Sequence, residues 1–160
     1  MNTLNKNTRL IIIGIGDIFL GDDGIGLFLV DRLEKIFKNK KEFAFIKLGK
    51  NLFKITDYIF PEIPLLLLDA VRMNKNPGDY KLFKLNSFKI YEKNDISLHT
   101  MNLLNIIKLL QILDFKLPEI YIFGVEPALI SPGQSLSPTV KNNIGKYINC
   151  LSNFIEKFKK

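Results

Sequence analysis

A single cysteine and a single histidine among 160 residues remove several chemistries at once. A disulfide framework, a Cys/His zinc finger and an H-E-x-x-H zinc site each need at least two such side chains. Any Cys-His or Ser-His-Asp unit would have to use His99. The sequence contains no G-x-S-x-G and neither Asp-Thr-Gly nor Asp-Ser-Gly of the pepsin type. Long hydrophobic runs are missing too. None approaches ~18 residues, which excludes a membrane-spanning helix. The polar stretch Met1 to Arg9, followed by an apolar run cut by Asp17, Asp22 and Asp23, lacks the layout of a signal peptide. With one thiol and no export signal, a reducing cytoplasm is expected.

Arginine is also scarce. The chain carries 23 basic and 16 acidic side chains, a net charge of +7, yet only Arg9, Arg32 and Arg72 are arginine. Phosphate and nucleic-acid sites favour the arginine fork, whereas the lysines here are scattered among Ile, Asn and Phe. They read as a solvated surface, and no nucleic-acid partner is expected. At roughly 100 to 200 residues per domain the chain is one domain over 1–160. It is large enough to bury about 68 to 70% of its unfolded surface without a disulfide or structural metal. A monomer is expected.

What is present alternates between two periods. Leu10 to Ile13, Phe43 to Lys47, Pro64 to Leu68 and Ile120 to Val125 are short apolar runs of the kind that form parallel strands buried on both faces. Asp79 to Leu85 interleaves Tyr80, Leu82 and Leu85 with Lys81 and Lys84, which suits an antiparallel edge strand. Helical spacing marks Ile25 to Ile36, a segment from Leu103 to Ile112 that starts near Thr100, and Val140 to Phe158, the last opened by Ser137-Pro138 as cap and first turn. A weaker helix covers Leu52 to Phe60. The fold class predicted is a three-layer α/β/α sandwich around a mostly parallel, doubly wound sheet of about five strands with an antiparallel edge strand.

In such a sheet ligands sit beyond the carboxyl ends of the strands. After the first strand comes a glycine-rich loop, Gly14 to Gly24. A dinucleotide fingerprint G-x-G-x-x-G would need glycine where Phe19 stands, and a P-loop would need Lys and Ser or Thr where Asp22 and Asp23 stand. Two carboxylates would repel a phosphate, so the loop suits a cation or a hydrogen-bond donor.

The same rim should gather Asp22 and Asp23, Asp69 at the end of a leucine strand, and His99 just before a helix. Two carboxylates and a neutral imidazole suit Zn, Ni, Mn or Fe(II) with open positions, or general acid and base work. Each residue also has a plain structural reading. Asp22 or Asp23 would serve as a helix cap, Asp69 would accept loop amides, and His99 would sit at the surface. An acid ending a run of four leucines nevertheless lies near a dry interior and needs a partner. Cys150 falls within the terminal amphipathic helix and reads as structural.

Four segments carry a further signal. They are Gly14-Ile15-Gly16-Asp17-Ile18-Phe19-Leu20-Gly21-Asp22-Asp23-Gly24-Ile25-Gly26; Leu68-Asp69-Ala70 with Asn76-Pro77-Gly78; Ser97-Leu98-His99; and Gly124-Val125-Glu126-Pro127 leading to Leu136-Ser137-Pro138. In this order and spacing the sequence resembles the hydrogenase maturation endopeptidases, which trim the C-terminal extension from the large subunit of [NiFe]-hydrogenases. The resemblance spans nearly the whole chain. It implies an α/β/α domain with a catalytic, metal-binding triad on Asp23, Asp69 and His99, and substrate contacts at Gly14, Gly16, Asp17, Asp22, Gly24 and Glu126. It also implies a large-subunit precursor as partner, and nickel recognised in that substrate, with direct binding of a divalent metal as the alternative. The loop Leu129 to Ser137 is expected to face the substrate. A non-cleaving metal-checkpoint module for the large subunit is the competing function. The chain departs from the family pattern at Asp17, where Asn is usual, at Asp23, where some members have Glu, and at Lys47-Leu48 before Gly49, where many carry an acid.

Overall fold

Two fully buried strands form the centre of the molecule because both of their faces are covered. The structure, a computed structural model, describes residues 4–49, 51–85 and 98–159, and for 98–102 the backbone alone. Five strands, β1 (Leu10–Ile15), β2 (Phe43–Gly49), β3 (Leu65–Ala70), β4 (Tyr80–Lys84) and β5 (Ile120–Val125), form one sheet in the order β2-β1-β3-β5-β4. The first three and β5 are parallel, and β4 runs antiparallel to β5 at the edge. All residues of β1 and β3 are buried, whereas Lys81 and Lys84 of β4 are exposed, as the sequence pattern requires.

The period of two sorts the strand residues into two cores. Leu10, Ile12, Leu66, Leu68 and Phe123 pack with Leu29 and Leu33 of α1 (Ile25–Ile36) and with Val140, Tyr147 and Leu151 of α3 (Pro138–Ile155). On the other face Ile11, Ile13, Leu65, Leu67 and Ile122 pack with Leu103 and Ile107 of α2 (Leu98–Ile112) and with Leu52 and Ile55. This is the expected three-layer α/β/α sandwich. No helix among the described residues is long and apolar enough to cross a membrane.

Two elements differ in detail from the sequence reading. Leu52–Tyr58 forms a 3-10 stretch, where the Thr56 hydroxyl bonds the Phe53 carbonyl at 2.8 Å, a local bond that competes with regular helix. Helix α2 begins at Leu98, ahead of the expected Thr100, so His99 lies inside its first turn. No proline marks that start, and helix ends without one are weakly specified. The start of α3 matches expectation: Ser137 Oγ accepts from the Val140 amide at 3.3 Å and Pro138 opens the helix.

The strand order reverses beside β1. The chain leaves β1 for α1 on one face, and leaves β2 for the 3-10 stretch on the other, before crossing to β3. A crevice therefore opens between the carboxyl ends of β1 and β3. Close approach there depends on glycine. A Cβ on Gly26 would lie 2.1 Å from the Leu68 carbonyl oxygen and 2.5 Å from that of Ile15, so α1 starts directly against both central strands.

Gly26→Ala is expected to cost at least about 2 kcal/mol through backbone overpacking. Gly145→Ala, in α3 where a Cβ meets nothing within 4 Å, should gain about 0.5 to 1 kcal/mol from helix propensity. Urea denaturation of both variants checks the pair; similar midpoints would contradict the packing argument.

Candidate functional site

Among the described residues the buried acids are Asp17, Asp22, Asp23, Asp69 and Glu126, and all five lie at or beyond the carboxyl end of a strand. Burying a carboxylate is costly unless hydrogen bonds or charges compensate it. Five at one rim of a chain with net charge +7 mark the site. A cleft of about 890 Å3 lined by Lys6, Arg9, Glu42, Glu62 and Lys157 shares no residue with that rim.

The loop after β1 is shaped by glycine and by its own acids. Gly16 has φ +120, and a Cβ there would lie 1.9 Å from the Asp23 carbonyl oxygen, so only glycine lets Asp23 fold back onto the strand end. Asp23 Oδ2 accepts the Asp17 amide at 2.8 Å. Asp17 Oδ1 in turn accepts the Phe19 amide at 3.0 Å. Asp23 belongs to a 3-10 turn, Gly21–Gly24, that packs against β3. No side chain caps α1, so the capping reading of Asp22 and Asp23 does not apply. Gly14 and Gly24 serve packing in the same way: a Cβ would meet Gly26 O at 2.6 Å and Ile18 Cα at 2.9 Å respectively.

Asp22 turns its carboxylate onto its own protein. It is fully buried. Its Oδ2 accepts the amides of Ala128 and Leu129 at 2.8 and 2.9 Å and the Ser137 hydroxyl at 2.8 Å, and its Oδ1 accepts the Ser137 amide at 2.6 Å. The loop after β5, which contains the expected substrate segment Leu129 to Ser137, is thereby tied to the loop after β1. Bonds from Asp22 N to Leu129 O and from Gly21 N to Gln134 O complete the seam. The sequence marks Ser137 as a helix cap and as the end of the expected substrate-facing segment. Its further role, as donor to Asp22, had no local signal.

Glu126 has a comparable placement. Its Oε2 accepts the amides of Met73 and Lys75 at 2.6 and 3.2 Å, and its carbonyl accepts the Gly78 amide at 2.8 Å. The loop after β3 is therefore held to the end of β5. Tyr147 of α3, not singled out from sequence, supports that loop from below by donating its hydroxyl to Gly78 O at 2.6 Å. Burial first, then the charges of Asp22 and Asp79, pushes its phenol up to about 12. Its position in the apolar stripe of α3 made it look like ordinary core.

Asp69 is 3% exposed and is the fifth residue of β3, one step beyond the Gly14–Leu68 pairing. Asp23 and Asp69 thus come from neighbouring elements at the crevice, both buried. His99 occupies the first turn of α2, the helix that runs back to the start of β5 and so begins at the rim. Its side chain, and Ser97 before it, lie outside the described residues. Among the described residues no three His, Cys, Asp or Glu side chains form a metal-holding group. Lys47, where many family members carry an acid, pairs at the surface with Asp31 of α1.

A doubly wound domain with a buried acidic loop at its strand switch defines the class. Within it, the family model described as hydrogenase maturation protease matches residues 27–153. A protein named as a hydrogenase maturation protease in Methanocaldococcus jannaschii is 31% identical, over 99% of this chain and 95% of that one. The hydrogenase 2 maturation protease of Escherichia coli is 25% identical over 83% and 82%. Among solved structures, the [NiFe] hydrogenase maturation protease HybD from Thermococcus kodakarensis superposes with a TM-score of 0.75 at 26% identity, covering 92% of this chain and 99% of that one. The hydrogenase maturating endopeptidase HybD from Escherichia coli shares the fold with a TM-score of 0.79 at 22% identity, over 94% and 93%. The chain belongs to the hydrogenase maturation proteases and is an endopeptidase.

Asp22→Ala strips one acceptor group from four donors, each costing about 1 to 3 kcal/mol when left buried and unpaired. A loss of at least about 3 kcal/mol in urea unfolding is expected. Tyr147→Phe should cost about 1 kcal/mol at neutral pH through its lost hydrogen bond. The raised phenol adds a pH signature. The folded state retains the Tyr147 proton that the unfolded chain releases near pH 10, so stability present below pH 10 is lost as pH rises toward 12. The stability gap between wild type and Tyr147→Phe should therefore change between pH 10 and 12 and stay flat below it.

Proposed function

We propose that this protease removes the C-terminal extension of a nickel-loaded [NiFe]-hydrogenase large-subunit precursor, and that Asp23, Asp69 and His99 engage the nickel carried by that substrate. The observation that carries the reading is the pair of buried carboxylates, Asp23 and Asp69, on neighbouring elements at the strand switch. The first turn of α2 supplies the only histidine of the chain. Carboxylate and imidazole donors suit nickel, and three of them leave positions for the substrate's own ligands.

Nickel here is cargo, and the protein's task is positioning. Holding the metal would fix the nearby chain, so that the scissile bond is presented in one orientation. Asp17 contributes by clamping Asp23 through its amide. Cys150, the single cysteine, does not suit a nucleophile's role: it lies on α3, half-buried, with its thiol pushed up mainly by burial. Water is the attacking group. Gly14, Gly16 and Gly24 act by allowing close backbone approach, while Asp22 and Glu126 hold the loops that flank the substrate.

Asp23→Asn, Asp69→Asn and His99→Ala should each slow processing by at least about 100-fold, with far-UV circular dichroism unchanged. Nickel-free precursor should remain uncut. Conversion of the precursor, seen as a mobility shift of the large subunit, by all three variants would refute the triad. A stable complex with no shift from wild type would favour the checkpoint reading.

A further inference from the structure

Beside the acids stand three large apolar side chains that the described residues leave exposed. Ile18 is 58% exposed, Phe19 70% and Leu129 44%. They do not sit on fraying chain. The Leu20 amide bonds Asp17 O at 3.1 Å, the Phe19 amide bonds Asp17 Oδ1 at 3.0 Å, and the Gly133 amide bonds Phe19 O at 2.8 Å. Leu129 is gripped on both sides, its amide by Asp22 Oδ2 and its carbonyl by the Asp22 amide. The turn around Phe19 thus needs nothing from that ring. Exposed apolar groups gathered on two loops that are bonded to each other make the kind of patch that serves as a contact surface.

We propose that Ile18, Phe19 and Leu129 form a preformed apolar lip that takes an apolar side chain of the polypeptide being cleaved, close to the scissile bond. The inference rests on the function proposed above. The Asp17 amide, two residues from Phe19, touches the Asp23 carboxylate. An extended chain advances about 3.3 Å per residue, so a segment engaged at Asp23 reaches the lip within a few residues. Charge selects the kind of segment. Although the protein carries 23 basic residues, none occurs from Gly14 to Asp31 or from Leu117 to Val140. The two loops that bear the lip thus offer no cation to a polyanion or an acidic peptide, and an apolar stretch of polypeptide is the occupant. Because the lip is already ordered, docking on it costs little conformational entropy.

The test is steady-state processing of nickel-loaded large-subunit precursor by wild type, the double variant Phe19→Ser with Leu129→Ser, and Phe19→Leu. Burial of a Phe-sized group is worth roughly tenfold or more in binding. The double variant should raise KM about tenfold or more with kcat within about twofold, and Phe19→Leu should stay near wild type. An unchanged KM in the double variant, beside normal cleavage by wild type, overturns the lip and leaves the function intact. Should wild type fail to cleave, the functional reading falls and calorimetric binding of the same precursor decides. Binding weakened about tenfold in the double variant upholds the lip; equal binding, or none by wild type, overturns it.

Discussion

The Asp22 carboxylate accepts four hydrogen bonds from residues more than a hundred positions further along the chain. A fully buried carboxylate exists only where such donors compensate its lost hydration. The loops after β1 and β5 therefore depend on each other: the second supplies the donors and the first supplies the charge. Leu129, Gln134 and Ser137 are placed by that exchange, and with them the start of α3. Glu126 repeats the arrangement on a smaller scale by holding the amides that follow β3. Three loops that would otherwise wander are thus assembled around the crevice.

Space is the companion constraint. Gly16 and Gly26 let backbone meet backbone at the ends of β1 and β3, so that Asp23 can lie against the strand end and α1 can start there. A glycine pattern that superficially suggests phosphate binding is used to bring carboxylates inward. The resulting rim is acidic and buried, while surface lysines such as Lys47 and Lys84 pair with Asp31 and Glu119. Net charge describes the surface and has little bearing on the site.

Much of this architecture could be read before any coordinates. Strands β1, β3 and β5 announced themselves as uninterrupted apolar runs because both faces are covered, and β4 as an edge because its lysines alternate with apolar residues. Helix α3 carried its own start signal in Ser137 and Pro138. Helix α2 did not, and its beginning was placed two residues late. The rim was legible as a set of acids, Asp22, Asp23, Asp69 and Glu126, but their division of labour was not. Nothing local distinguishes Asp22 from Asp23. One faces four donors from a distant loop and the other accepts the amide of Asp17.

The sequence by itself determined the fold class, the family and the rim at which buried acids gather, because periodicity and residue type act over a few neighbouring positions. Only the tertiary structure decided which acids bind the protein's own backbone, that Tyr147 reaches Gly78, and that Phe19 is left exposed by the described residues beside the buried acids. Those outcomes follow from contacts between segments far apart in the chain. A hydrogen-bond acceptor carries no mark in the sequence of the donor that folding will bring to it.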